Sequence, residues 1–152
     1  MRKPAILSII LFFSLSVNDA LGCVCFKPTP KQLNAQRPAD LRKATVVFSG
    51  EVISLDTFRV KFKVDRLWKG QESREITMLT GAIENGNGSV TTTTCDYRFT
   101  QGQVYLVWAY GPLNSLRTDT CTRTALTEYA EAEMKALDKI ARNGALGPGK
   151  PK

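Results

Sequence analysis

Phe58-Arg59-Val60-Lys61-Phe62-Lys63-Val64-Asp65-Arg66-Leu67-Trp68 alternates apolar and charged side chains almost without a break. A period of two marks a strand with one buried face, because successive side chains leave a pleated backbone on opposite sides. The spacing puts Phe58, Val60, Phe62, Val64 and Trp68 on one face, with Arg59, Lys61, Lys63 and Asp65 on the other. Asp56-Thr57 reads as the turn before this strand, and Lys69-Gly70 closes it. Upstream, Val46 to Leu55 is rich in β-branched residues and reads as its partner, with Gly50 marking a bulge or a close approach. Downstream, Glu75 to Thr80 is a shorter strand. The 81–89 stretch is a loop with two Asn-Gly pairs, and Val90 to Thr94 is a strand leading into Cys95. Gln103 to Tyr110 is the most hydrophobic run and should lie centrally. Asp119 to Thr124 reads as a short last strand around Cys121.

Beyond that point the period changes. Leu126, Ala130, Met134, Leu137 and Ala141 recur every three or four residues, the mark of a helix with one apolar face. Thr127 is the candidate N-cap and Asn143-Gly144 the stop. Before the first strand, Pro28 and Pro30 favour an extended start, and Lys31 to Ala44 reads as one or two short helices interrupted at Pro38. Several short antiparallel strands followed by a helix predict a mainly β fold: a closed, OB-fold-like Greek-key β-barrel with a C-terminal helix packed on it.

The 152 residues carry a net charge of +7, four Cys and no His. Without His there is no Ser-His-Asp triad, no Cys-His dyad and no His-ligated zinc helix, so the familiar hydrolase chemistries are excluded and no enzyme is expected. A zinc site of the chain's own would need Cys or carboxylate ligands alone.

The start of the chain reads as an address. Arg2 and Lys3 precede an apolar run from Ala5 to Val17, and Ala20-Leu21-Gly22 has small residues at its first and third positions. Residues 1–22 therefore read as a secretory signal peptide cleaved after Gly22. Residues 23–143 form one domain, and 144–152, rich in Gly, Pro and Lys, a flexible tail. Ala20 to Cys23 also weakly resembles a bacterial lipoprotein cleavage box, which would put a lipid anchor on Cys23 or hold the chain in a periplasm. No other run is long enough to span a membrane. An exported chain with an even Cys count implies a disulfide framework. A Cys23–Cys25 ring would be very tight, and spacing does not choose between the two remaining pairings, both of which tie the N-terminus to the regions of Cys95 and Cys121.

Cys23-Val24-Cys25-Phe26-Lys27-Pro28-Thr29-Pro30 at the mature N-terminus is followed by Ala44 to Ile53 and Val64 to Gly70. Cys95 with Tyr97 and Phe99, Gly102 to Val107, and Cys121 to Thr124 come next. In this order the chain, to about Asn143, resembles the netrin-type module of the tissue inhibitors of metalloproteinases. The resemblance implies the bridges Cys23–Cys95 and Cys25–Cys121. It also implies a secreted, extracellular inhibitor of zinc metalloproteases in which the α-amine and carbonyl oxygen of Cys23 chelate the target's catalytic zinc. Both atoms sit on one residue, so they close a five-membered ring on the metal and displace its water. The ligand is the neutral amine, so binding releases a proton.

By the same resemblance, Val24, Cys25, Phe26 and Lys27 form the ridge that enters the protease, and Thr92, Thr93 and Thr94 form a second contact strip beside Cys23. Val24 stands where the family has Thr or Ser, Lys27 where it has Pro, and Ala35 near the place of a further family Cys; altered selectivity is the expected consequence. No cofactor of its own is expected beyond the target's zinc. The alternative is a non-inhibitory binding module whose Arg59, Lys61 and Lys63 face contacts extracellular matrix polyanions or a protein partner. Nucleic acid is not an expected partner, a monomer is expected, and Asn87-Gly88-Ser89 is a glycosylation sequon.

Overall fold

The computed structural model describes residues 22–26 and 28–144. Residues 1–21 of the expected signal peptide (1–22), Lys27, and residues 145–152 of the expected tail (144–152) lie outside the described residues. The elements run α1 (Pro30–Lys43), β1 (Val46–Leu55), β2 (Arg59–Lys69), β3 (Glu75–Leu79), β4 (Ile83–Glu84), β5 (Val90–Thr91), β6 (Val104–Ala109), β7 (Ala125–Leu126) and α2 (Glu131–Arg142), with 3-10 turns at Leu113–Ser115 and Thr127–Tyr129. Five strands form one antiparallel sheet in the order β3-β2-β1-β6-β7, while β4 and β5 form a separate small hairpin. The fold is mainly β, with α2 packed on the sheet.

Bulges shape this sheet. Gly50 pairs with Val64 and Ser49 with Arg66, so Asp65 is an extra residue on β2. A Cβ at Gly50 would lie 2.6 Å from the Lys63 carbonyl oxygen, so the close approach expected there is real. The extra residue also inverts the pleat. Val60, Phe62, Val64 and Leu67 face one core, whereas Trp68 joins the other. The single apolar face expected from Phe58 to Trp68 is therefore corrected at its end: Trp68 points to the opposite side, where its indole N–H donates to Asp138 of α2 at 2.7 Å.

Two cores cover the two faces of the sheet. On one, Phe48, Phe62, Phe99 and Tyr105 make an edge-to-face aromatic chain with centroids 5.0–5.2 Å apart. On the other, Val47, Leu106 and Trp108 pack against Leu41 of α1 and Leu137 of α2, and Leu137 is fully buried. Burying a leucine this way contributes roughly 2–3 kcal/mol.

The barrel does not close. No ladder joins β3 to β7 among the described residues. On that side the 116–117 segment links the end of β3 to the residue after β6: the Leu79 N–H donates to the Leu116 carbonyl at 2.7 Å and Tyr110 and Arg117 exchange backbone bonds of 2.9 Å. The cause is local. Residues 119–124, expected as a strand, form a hydroxyl-lined turn in which Thr118 Oγ1 donates to the Trp108 carbonyl and meets Thr122 and Thr124 at 2.8 Å. The last strand is thereby displaced to Ala125–Leu126.

Three smaller expectations are corrected. Helix α1 runs unbroken through Pro38, which lacks only one intrahelical donor. It is held by a Thr29–Gln32 capping box at its start and by Lys69, whose ammonium donates to the Leu41 and Ala44 carbonyls at its end. Thr127 does not cap α2: its hydroxyl donates to the Val104 carbonyl at 3.2 Å, and the helix starts from the 3-10 turn at Glu131. The strand into Cys95 stops at Thr91, which leaves Thr92, Thr93 and Thr94 in a loop. The Asn143-Gly144 stop is as expected, with Gly144 in the left-handed region at φ 71°.

Candidate functional site

The Gly22–Phe26 segment is fastened to two loops, those carrying Cys95 and Cys121. Cys23 is bridged to Cys95 and Cys25 to Cys121, with Cα–Cα separations of 5.1 and 5.0 Å. The bridges close loops of 72 and 96 residues. In the chain-entropy account each such closure contributes roughly 4–5 kcal/mol. The main-chain N–H of Cys23 also donates to Thr94 Oγ1 at 2.9 Å. With both cysteines fixed, the residues between and beside them project outward: Val24 is 93% exposed and Phe26 75%. Both are large apolar side chains held in solvent on a backbone that two bridges anchor.

Thr94 lies against Cys23, and Thr92 and Thr93 continue the strip. The turn that presents them is built by Asp96, whose Oδ1 accepts from the N–H and hydroxyl of Thr93, while Thr93 Oγ1 accepts from the Cys95 N–H. All three threonines are exposed, and they border a cleft of about 340 Å³ with Leu55 and Phe58. Thus Cys23, Val24, Cys25, Phe26 and Thr92–Thr94 share one surface. Lys27 lies outside the described residues.

A larger groove of about 880 Å³ runs along the other flank of the ridge, between Val24, Phe26 and Pro28 on one side and Leu33, Tyr129 and Glu133 on the other. Its floor is a charge-balanced network. The Arg123 guanidinium, with 8% of its side chain exposed, donates to Asp40 at 2.7 Å, to Glu133 at 3.3 Å and to the Leu33 carbonyl at 2.6 Å. It also sits 5.5 Å from the Trp108 ring centroid. Arg37 holds Glu133 from the opposite side at 2.8 Å, and that hydrogen bond raises the Arg37 pKa. Burial, with a contribution from Asp40, pushes the Tyr110 phenol up to about 12. This network ties the loop carrying Cys121 to α1 and α2, so it braces the ridge from below.

Arg59, Lys61 and Lys63 lie elsewhere, on β2. Lys61 pairs with Glu75 at 2.6 Å, and Lys63 stands in register between Glu51 and Glu75. The strip is therefore a surface of mixed charge.

Sequence reasoning missed Thr120, Arg123 and Tyr129. Thr120 Oγ1 lies 3.6 and 3.7 Å from the sulfurs of Cys23 and Cys25. Its signal was present: each acceptor cysteine follows a threonine, Thr94-Cys95 and Thr120-Cys121. Arg123 and Tyr129 carried none, because their roles depend on how α1 and α2 meet. No family model and no curated protein matches the chain. Among the described residues, no helix is long and apolar enough to cross a membrane.

Proposed function

We propose that the exported, processed chain inhibits zinc metalloendopeptidases by placing the α-amine and carbonyl oxygen of Cys23 on the catalytic zinc. The observation that carries this reading is the rigid exposed ridge: Val24 and Phe26 stand almost free in solvent between and beside two disulfide-anchored cysteines. A pinned segment loses little conformational entropy on entering a cleft. Cleavage after Gly22 would turn the Cys23 nitrogen, which already sits beside Thr94, into a primary amine. An open zinc position accepts such a nitrogen at about 2.0–2.1 Å, and the carbonyl oxygen of the same residue completes the chelate. Val24 then addresses the first pocket beyond the zinc, and Phe26 and Thr92–Thr94 flank the cleft. Secretion and the resemblance to the tissue inhibitors of metalloproteinases belong to this same reading.

The test is inhibition of a panel of zinc endopeptidases by protein beginning at Cys23 and by the same protein with one Ala added before Cys23. The extension keeps fold and bridges but moves the amine off the chelating residue. Inhibition lost with the extension supports the reading. Equal inhibition by both forms, or none by the correctly processed form, sinks it.

A further inference from the structure

The four half-cystines form one cluster. Cys23 Sγ lies 3.5 Å from Cys121 Sγ and 3.9 Å from Cys25 Sγ, across the two bridges. The sulfurs of Cys23, Cys95 and Cys121 all fall within 4.8 Å of one another. The Cys23 and Cys25 sulfurs lie 3.9 Å apart, while Val24 between them stands 93% exposed. A zinc ion held by four thiolates has Zn–S distances of about 2.3 Å, which sets tetrahedral sulfur–sulfur edges of about 3.8 Å. Two of the spacings between the bridges, Cys23–Cys121 and Cys23–Cys25, already have this size, and Cys25, which falls outside the three-sulfur group, completes the set by moving towards Cys95 once the bridges open.

The grouping does not depend on the bridges alone. The Thr120 N–H donates to the Cys95 carbonyl at 2.8 Å, and Asp96 and Asp119 form an antiparallel bridge, so the two loops are joined through their backbones. Helix α1 is fixed to the body through Leu41, Arg37 and Asp40. Its start at Pro30 is five residues from Cys25, a tether of at most about 18 Å.

We propose that reduction of both bridges converts this cluster into a four-thiolate zinc site, in which Cys23, Cys25, Cys95 and Cys121 hold one Zn2+. Each bridge takes two electrons and two protons from one molecule of a dithiol, which leaves as its own disulfide. The four thiols then release four protons as Zn2+ binds. A disulfide-class oxidant reverses the sequence and expels the ion. The Thr120 hydroxyl, near the sulfurs of both Cys23 and Cys25, donates to their thiolates in the reduced state. Cys121 is exposed, which gives the ion an entry path. This site uses side-chain sulfur and stands whether or not the main chain of Cys23 inhibits proteases.

The experiment is anaerobic titration of the phosphine-reduced protein with Co2+, followed by Zn2+ displacement, with far-ultraviolet circular dichroism on the same samples. One equivalent should bind, with thiolate-to-metal charge transfer and the visible bands of a tetrahedral ion, in a chain that keeps its sheet signal. The oxidised protein should show neither band. Cys95→Ser and Cys121→Ser should each abolish the four-thiolate spectrum and weaken Zn2+ binding by about 100-fold or more. The proposal is overturned if the reduced protein gives no tetrahedral thiolate spectrum. It is equally overturned if either variant keeps the wild-type spectrum, which would show that the replaced cysteine is not a ligand, or if metal binds without the sheet signal.

Discussion

Arg123→Met removes the guanidinium beneath the ridge while keeping an unbranched chain over Trp108. Arg123 has three partners: Asp40, Glu133 and the Leu33 carbonyl. Glu133 keeps Arg37 at 2.8 Å, so it is not orphaned. Asp40, with 28% of its side chain exposed, regains part of its hydration. The uncompensated losses are therefore one carboxylate–guanidinium bond that is partly screened and one charge-assisted bond to the Leu33 carbonyl, which lies in α1 and keeps its place in the helical ladder. Removing one partner of a fully buried ion pair costs about 3–5 kcal/mol. With Glu133 still paired and Asp40 partly wet, about 2–3 kcal/mol is expected. For a domain of this size, that corresponds to a fall in Tm of about 10 °C. Urea unfolding without reductant measures it directly, and the m-value should be unchanged. Arg123→Lys, which keeps the charge but not the fork, should fall between the two proteins. A loss below about 1 kcal/mol for Arg123→Met would refute the claim that this network braces the Cys121 loop.

Gly50→Ala puts a methyl 2.6 Å from the Lys63 carbonyl oxygen, a backbone atom in the sheet; a loss of about 1–3 kcal/mol is expected in the same urea assay, and an unchanged midpoint would contradict the described register. Tyr110 is held above its usual value of 10.0, at about 12, so the folded chain keeps a proton that the unfolded chain has lost. Its contribution is complete below pH 10 and disappears as pH rises towards 12, so Tyr110→Phe should flatten that alkaline decline, and identical profiles for the two proteins would argue against a desolvated phenol. Phe26→Ala should leave Tm within about 1–2 °C, because the ring is 75% exposed, yet weaken inhibition by about tenfold or more; an unchanged inhibition constant would remove Phe26 from the contact surface.

The long strands were legible because their signals are local. The Phe58–Trp68 run alternates within eleven residues, Val46–Leu55 is rich in β-branched residues, and Gly50 betrayed the close approach. What failed were features set from outside the segment. Trp68 changes face because β2 carries one residue more than β1 at Asp65, and no alternation inside β2 records that. Residues 119–124 looked β-prone, yet Thr118, Thr122 and Thr124 find each other and the Trp108 backbone, so hydroxyl bonding overrides strand pairing and leaves the barrel open. Pro38 looked like a break but sits in a helix held by tertiary ion pairs. At the candidate site, the Cys-x-Cys ridge could be read because cysteines are few. The Arg123 network could not, since Arg37 and Asp40 come from one helix and Glu133 from another, 96 residues beyond Arg37.

In the proposed inhibition, the Cys23 main chain binds the metal of a target protease. This binding is tested most directly on a zinc endopeptidase reconstituted with Co2+, whose visible spectrum reports the ligands of the ion. Adding the chain that begins at Cys23 should change those bands at one equivalent, as amine nitrogen and carbonyl oxygen replace water. The chain extended by one Ala should leave them unchanged. Inhibition by the Cys23 form with no spectral change would place the contact away from the metal and contradict chelation by Cys23.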